Sequence, residues 1–374
     1  MNIGITLDLQ KPFWSNGLQQ NIVFLYDVLS RIPETACYYI TCNTPAQKLA
    51  KPHEAILLDE VLGDDSFKLD VLIIVGFDLA PAMYDSLKKR NPHLKVILIH
   101  YGNKLMDDIH HSIAAPSSRR SPLQKPKHLS QIWISPHHAF SKEYVKAYYN
   151  FENVAVAPYV WDSFFVQGKL KELALKNLSP SFRKENVGDV CIFEPNISHI
   201  KNCIVPFVIC ERAHQLHPGS VKSVNISSCE GIRKKPYFES LMNRLTLIRG
   251  GKESNNNNCY FNNRWGSLTA LSKWGSTIVS HQIYNELNYS HLEALYLGLP
   301  LIHNSPLLID VGYYYPDCDV TMGAHQLYSA TLNHNNTLDK YKGDAQRFLY
   351  RYSALNPSNI DGYKLLVRQV LEKK

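Results

Sequence analysis

No apolar run in this chain reaches the roughly 18 residues that a membrane-crossing helix needs, so no transmembrane span is expected. None of the eight cysteines forms a C-x-x-C pair. They read as reduced thiols, several of them buried, in a cytosolic protein. Also missing are the G-x-G-x-x-G of a dinucleotide fold, the Walker A loop, the G-x-S-x-G elbow and the H-E-x-x-H zinc helix. No fixed-period repeat is present, and the one low-complexity segment is "GGKESNNNN" (250–258), a polar surface loop by composition. The start, "MNIGITLDLQ", lacks a charged segment followed by an apolar one and reads as a first strand rather than a signal peptide. Charge is not balanced: 40 Lys and Arg against 33 Asp and Glu leave +7. That mild excess suits an anionic ligand, a nucleic acid or a membrane surface without choosing among them.

What is present is alternation. A length of 374 residues favours two domains. In the first half, "NIGITLD" (2–8), "ACYYITC" (36–42), "DVLIIVG" (70–76), "LKVILIH" (94–100) and "QIWISP" (131–136) are strand candidates. The continuous apolar runs among them suit strands buried on both faces. Between them, 18–32 carries Leu18, Ile22, Leu25, Val28 and Leu29 at helical spacing, and 80–90 and 138–149 are also helical. The pattern pauses at "VAVAPYVWD" (154–162), and a basic helix is expected over 169–178. A second series follows, with strands in 189–196, 221–227, 259–263, 276–281 and 299–304, and a closing helix over 359–374 with its stripe at Tyr363, Leu366, Val367 and Val370. Strand–helix alternation implies parallel sheets covered on both faces, here two doubly wound α/β domains in tandem.

In such sheets ligands bind beyond the carboxyl ends of the strands. After the first strand, Asn16-Gly17 feeds a helix whose free N–H groups suit a phosphate or sugar, or form a plain turn. His100 ends a strand, where it can act as general base, bind a ligand hydroxyl, or sit buried and satisfied. In "EPNISHIKNC" (194–203), Glu194 is a candidate catalytic carboxylate or a cap. Asn196 and Ser198 add donors, and Lys201, expected at the start of the next helix, suits a diphosphate. In "NELNYSHLEALYLGLPLIHNS" (285–305), the Glu293 carboxylate can accept two hydrogen bonds from a ribose diol. His281, Asn285, Asn288 and Tyr289 line the approach to it, with Glu286 in the same loop as a candidate catalytic carboxylate, although Asn288 or Ser290 can simply cap the helix.

Two basic loops carry Arg119, Arg120, Lys125 and Lys127, and Arg233, Lys234 and Lys235. Such loops can track a phosphate backbone, or simply be solvated. No metal site is expected: "DCD" (317–319) resembles a cation-holding D-x-D but reads as a polar loop, and the His pairs at 110–111 and 137–138 lack partners at ligand spacing.

Two tandem Rossmann-like domains, a closing helix able to cross back, and "LEALYLGLPLIHNS" together resemble the glycosyltransferases of the two-domain GT-B fold. In their retaining branch an E-x7-E signature precedes G-x-P and a short strand. Glu293 matches the second Glu, Gly298 and Pro300 match G-x-P, and Asn285 stands where the first Glu belongs, with Glu286 one step out of register. Of the family's basic pair that grips the diphosphate, Lys201 matches the second member and Asn196 stands at the first. "IFEPNISHIKNC", "IVSHQIYNELNYSHLEALY" and "PLIHNSPLLIDVGYYYPD" are also similar to a group of bacterial and phage proteins assigned to this class, which includes phage DNA glycosyltransferases. The resemblance implies an acceptor domain over 1–165, a donor domain over 166–345, an interdomain cleft and crossover helices over 346–374. It implies sugar transfer from a nucleotide-sugar, a UDP-sugar, to a hydroxyl of a 5-hydroxymethylated pyrimidine in double-stranded phage DNA, by a cytoplasmic monomer or dimer that requires no metal. A cell-surface glycan or protein acceptor, or a binding module without catalysis, are the alternatives.

Overall fold

The computed structural model describes residues 1–10, 17–42, 53–114, 124–253 and 258–372. Contacts divide the chain into two compact units, one of Met1–Asp162 with Tyr350–Lys374, the other of Ser163–Leu349. Unit 1 holds strands β1 (Asn2–Thr6), β2 (Ala36–Thr41), β3 (Ala55–Leu57), β4 (Val71–Ile74), β5 (Lys95–His100), β6 (Leu129–Ile134) and β7 (Val154–Val156). They form one parallel sheet in the order β3-β2-β1-β4-β5-β6-β7. Every residue of β4 is buried, as its unbroken Val-Leu-Ile-Ile run requires of a strand covered on both faces.

Unit 2 holds β8 (Asp189–Ile192), β9 (Ser223–Ile226), β10 (Cys259–Phe261), β11 (Thr277–Val279), β12 (Leu301–His303) and β13 (Tyr313–Tyr314), again all parallel, in the order β10-β9-β8-β11-β12-β13. The fold class expected from the alternation is the one observed. In each sheet the order reverses beside the first strand, between β1 and β4 in unit 1 and between β8 and β11 in unit 2. Connections leave in opposite directions at these two points, which opens a crevice at the carboxyl ends.

The closing segment belongs to unit 1. Helix Pro357–Glu372 packs against helix Gly17–Leu29. Tyr363 donates its hydroxyl to the Pro158 carbonyl at 2.7 Å, and its ring meets Trp133 edge-on.

Three local expectations are corrected. The basic helix runs over Phe164–Ala174 rather than 169–178, with Asn177 in a left-handed turn beyond it. Segment 138–149 splits into a 3-10 turn at Pro136–Ser141 and a helix at Lys142–Tyr149. The polar segment at 250 opens inside helix Thr246–Glu253, and 254–257 lie outside the described residues. Composition pointed to a loop there, but the buried Leu247 and Ile248 and the Glu211 carboxylate, which accepts the Thr246 and Leu247 amides at 2.9 and 3.0 Å, hold the helix start.

Gly275 leads into β11 with an extended backbone, so its conformation suits any residue. Space does not: a Cβ there would lie 2.2 Å from the Asp189 carbonyl oxygen at the start of β8. Gly275→Ala is expected to cost about 1–3 kcal/mol through forced displacement of paired backbone. The check is a lower denaturant midpoint at an unchanged slope.

Candidate functional site

The carboxyl end of the unit 2 sheet carries a buried polar network at its reversal point. Glu194 follows β8 and is 2% exposed. Its Oε1 accepts Ser280 Oγ at 2.5 Å and the His281 amide at 3.3 Å, and its Oε2 accepts Gln282 Nε2, all three donors following β11. Because the one Ser280 hydroxyl proton goes to the carboxylate, His291 Nε2, 2.7 Å away, is the donor to Ser280. His291 Nδ1 then accepts from Ser305 Oγ at 3.3 Å. Gln282 and Asn304 clamp the ends of β11 and β12 by two reciprocal bonds, of 2.9 and 3.0 Å. Burial lifts the Glu194 carboxyl to about 7 against the pull of Ser280, Lys201, His281 and Gln282. It drives His291 well below the usual histidine range, so that ring is neutral. Glu194 thus positions the strand ends, with both oxygens engaged.

Lys201 is not at a helix start. It lies in the loop three residues before helix Ile204–Leu216 and faces Ser198 across an isolated antiparallel bridge. The sequence reading extended the helix too early because Asn196, not Lys201, organises its entry. Asn196 stands at a left-handed φ of 56°. Its Oδ1 accepts the Cys203 amide at 2.8 Å, and its Nδ2 donates to the Ser227 and Ser228 carbonyls at 3.1 and 3.2 Å. The Asn196 side chain is therefore committed to joining the loops after β8 and β9. Burial lowers the Lys201 ammonium from its ordinary range, and Glu194 works against that shift. The result is a poorly solvated cation beside the network.

Glu293 lies inside helix Tyr289–Leu297, which ends at the left-handed Gly298 before Pro300 and β12. Its carboxylate is 8% exposed, accepts Ser267 Oγ at 2.8 Å and is pushed up by burial to about 7. Asn288 caps this helix, accepting the Ser290 amide. Tyr289 is its first residue. Asn285 Nδ2 donates to Gln282 Oε1 at 3.3 Å and so joins the network. Glu286 Oε2 is buried without a hydrogen-bond partner among the described residues, and burial raises its pKa. His281 donates Nδ1–H to Tyr315 and is lowered by burial to about 4.

In unit 1, His100 ends β5 at 7% exposure, stacked on Tyr149 with ring centroids 5.6 Å apart. Its Nε2 and the Tyr149 hydroxyl are both buried without partners among the described residues. Burial, then Lys104, takes His100 to about 4, against the pull of Asp108. Lys104 pairs with Asp108 and lies 3.6 Å over the Tyr148 ring, while Asp108 also accepts Tyr144 at 2.6 Å. Gly17 opens helix Gly17–Leu29, and Asn16 lies outside the described residues.

Of the basic loops, Arg119 and Arg120 lie outside the described residues. Lys127 pairs with Asp85, which also binds His128, and Lys125 stands 6.0 Å over the Phe151 ring. Arg233, Lys234 and Lys235 are exposed, and Lys235 lines a cavity of about 200 Å³ with Ile204, Ile232 and Phe238. Among the described residues no group of three or more His, Cys, Asp or Glu side chains is arranged to hold a metal. No helix among them is long and apolar enough to cross a membrane.

The sequence reading missed Ser280, Gln282, His291, Asn304, Ser305 and Tyr315 as network members. For four of them the signal was present: "SHQ" (280–282) follows one apolar strand and "HNS" (303–305) closes another, whereas His291 and Tyr315 had no such mark.

Solved structures with the same architecture include several glycosyltransferases. One is S. aureus TarM in complex with fondaparinux, α-GlcNAc-glycerol and UDP, at 10% identity and a TM-score of 0.50 over 84% of this chain; the chain spans only 59% of that protein. A second is an α-glucosyltransferase with UDP and a mismatch-containing DNA, at 13% identity and a TM-score of 0.55 over 100% of this chain and 99% of that one. A third is the DNA-modifying β-glucosyltransferase studied with and without uridine diphosphoglucose, at 10% identity and a TM-score of 0.55 over 98% of this chain and 100% of that one. At these identities the likeness establishes the fold, which is GT-B, as the resemblance implied. No curated protein sequence matches the chain. The family model described as "Protein of unknown function (DUF2827)" matches residues 3–367, and the chain belongs to that family.

Proposed function

We propose that this protein is a glycosyltransferase that moves a sugar from a UDP-sugar to a hydroxyl acceptor. The observation that carries the reading is that two adjacent strands of one parallel sheet, β8 and β11, are followed by a poorly solvated cation, Lys201, and by a helix bearing a buried carboxylate, Glu293. A nucleoside diphosphate presents the complements of both, an anionic diphosphate and a ribose diol. Two of the structural neighbours bear UDP, and a third takes uridine diphosphoglucose. Lys201 would offset charge on the leaving diphosphate. Glu286 offers an unpartnered carboxylate oxygen and Asn285, His281 and Ser198 border the same loops. In unit 1, the neutral His100 offers Nε2 to a hydroxyl ligand. Catalysis would then rest on placement of the acceptor oxygen and on charge stabilisation.

For the acceptor we infer a 5-hydroxymethylated pyrimidine in duplex DNA, flipped from the stack. The net charge of +7, the exposed Arg233, Lys234 and Lys235, and two neighbours described with DNA or as DNA-modifying support this. A glycan acceptor is the second reading, favoured by the glycan ligands of the TarM complex. A panel of labelled sugar nucleotides, offered with hydroxymethylcytosine DNA or with glycans, separates the two. Label in DNA is expected, and label only in glycan selects the second reading. Absence of both transfer and hydrolysis with every donor would leave a binding module. By titration calorimetry, Lys201→Ala is expected to weaken UDP binding by roughly tenfold or more, the worth of one charge-assisted contact. Unchanged affinity removes Lys201 from the site.

A further inference from the structure

Cys318 stands apart from the other thiols. Six of the eight cysteines are buried, and only Cys42 and Cys318 are exposed. Cys42 has its thiol pushed up by burial and by Asp8 and Asp59. Cys318 instead meets an imidazole, with its Sγ 3.5 Å from His281 Nε2. The hydrogen bonds behind that ring fix its tautomer. Tyr315 donates its single hydroxyl proton to the Ser280 carbonyl at 2.9 Å, so at the 3.0 Å contact with His281 Nδ1 the phenol oxygen must accept. His281 therefore carries its proton on Nδ1 and presents the bare Nε2 lone pair to the Cys318 S–H. His281 is 4% exposed and Tyr315 fully buried, so the ring is held rigidly while the sulfur stays accessible. Burial keeps the imidazole neutral at physiological pH and disfavours a standing imidazolium, so the ring serves as a relay that takes and gives the proton in concert with the exchange. A nucleophile, a base within reach and a third group that orients the base are the parts of an activated thiol.

We propose that Cys318, His281 and Tyr315 form a thiol-exchange site whose reagent is a low-molecular-weight disulfide. The Cys318 sulfur attacks one sulfur of the reagent as its proton passes to His281 Nε2. The reagent's S–S bond breaks, a new S–S bond to Cys318 forms, and the departing thiolate takes the proton from His281. The Cys318 sulfur is oxidised and the departing sulfur reduced, so the exchange balances. Asp317 and Asp319 flank the thiol in sequence, with Asp319 engaged by the Met322 amide, and Glu194 accepts the His281 amide. The site does not depend on the sugar-transfer reading.

The test uses the full chain with oxidised glutathione, followed by intact mass, and with dithiodipyridine, followed by absorbance. One thiol is expected to react roughly tenfold or more faster than the rest and to map to Cys318. Cys318→Ser should abolish that phase; its survival, now at Cys42, overturns the proposal. His281→Phe, shown folded by circular dichroism, should slow labelling of Cys318 by roughly tenfold or more; an unchanged rate removes the base. Should that variant fail to fold, the wild-type profile decides. An unassisted thiol loses about tenfold in rate per pH unit below its pKa, whereas base assistance should make the fall between pH 8 and 6 clearly shallower.

Discussion

Glu194→Ala is expected to destabilise the protein by about 3–5 kcal/mol. Three donors converge on this carboxylate, from Ser280 Oγ, the His281 amide and Gln282 Nε2. All three residues are buried. Alanine removes every acceptor at once, and each orphaned donor costs about 1–3 kcal/mol, less what relaxation or an entering water recovers. Lys201 also loses the carboxylate that opposes its desolvation. Glu194→Gln should cost much less. Its carbonyl oxygen can still accept Ser280 and His281, and only the encounter of two amide groups at Gln282 is unfavourable. The amide also escapes the penalty of ionising a buried acid whose pKa stands near 7. Denaturant melts of both variants check the order, and a Glu194→Ala protein as stable as Glu194→Gln would mean that the network carries no load.

The alternation of apolar strands with helical spacing made the two sheets legible, because fully buried parallel strands such as β4 must be apolar throughout. Strand order was not written in any local pattern. The reversal between β8 and β11 is a tertiary fact, and it brings Glu194 against Ser280, 86 residues further along the chain. Residue types alone could mark Glu194, Lys201 and Glu293 as chemistry-bearing but could not tell a ligand-facing carboxylate from a structural one. Both acids are nearly fully buried; one has its two oxygens filled by three protein donors and the other is bonded by Ser267 at a single oxygen. The register puzzle at 285–286 also has a physical answer. Asn285, eight residues before Glu293, spends its amide on Gln282 inside the network. The carboxylate one step on, Glu286, keeps an oxygen without a partner among the described residues.

The second large effect is expected at Glu293, in the pH dependence of UDP-sugar binding. Burial, opposed by the Ser267 hydrogen bond, holds this carboxyl at about 7 in the free protein. A ribose diol donates two hydrogen bonds, and only the ionised carboxylate accepts both without giving up a proton. Below pH 7 the free site is protonated, so binding must first release that proton. Affinity should therefore fall by up to about tenfold for each unit below pH 7, since one pKa unit is worth about 1.36 kcal/mol. Above pH 7 the group is already ionised and affinity should level off. Glu194 titrates over the same range, so the variant separates them: Glu293→Gln keeps Glu194 and should flatten the profile. At pH 8 that variant loses about 1.5–3 kcal/mol, the worth of hydrogen bonds to a charged group, or roughly one to two orders of magnitude in Kd. At pH 5.5 wild type and variant should converge, because the wild-type carboxyl is then itself neutral. Calorimetric titrations with a UDP-sugar at pH 5.5, 7 and 8 would show this, together with proton release on binding at the lower values. A steep profile that persists in Glu293→Gln would place the titrating group elsewhere and remove Glu293 from the ribose site.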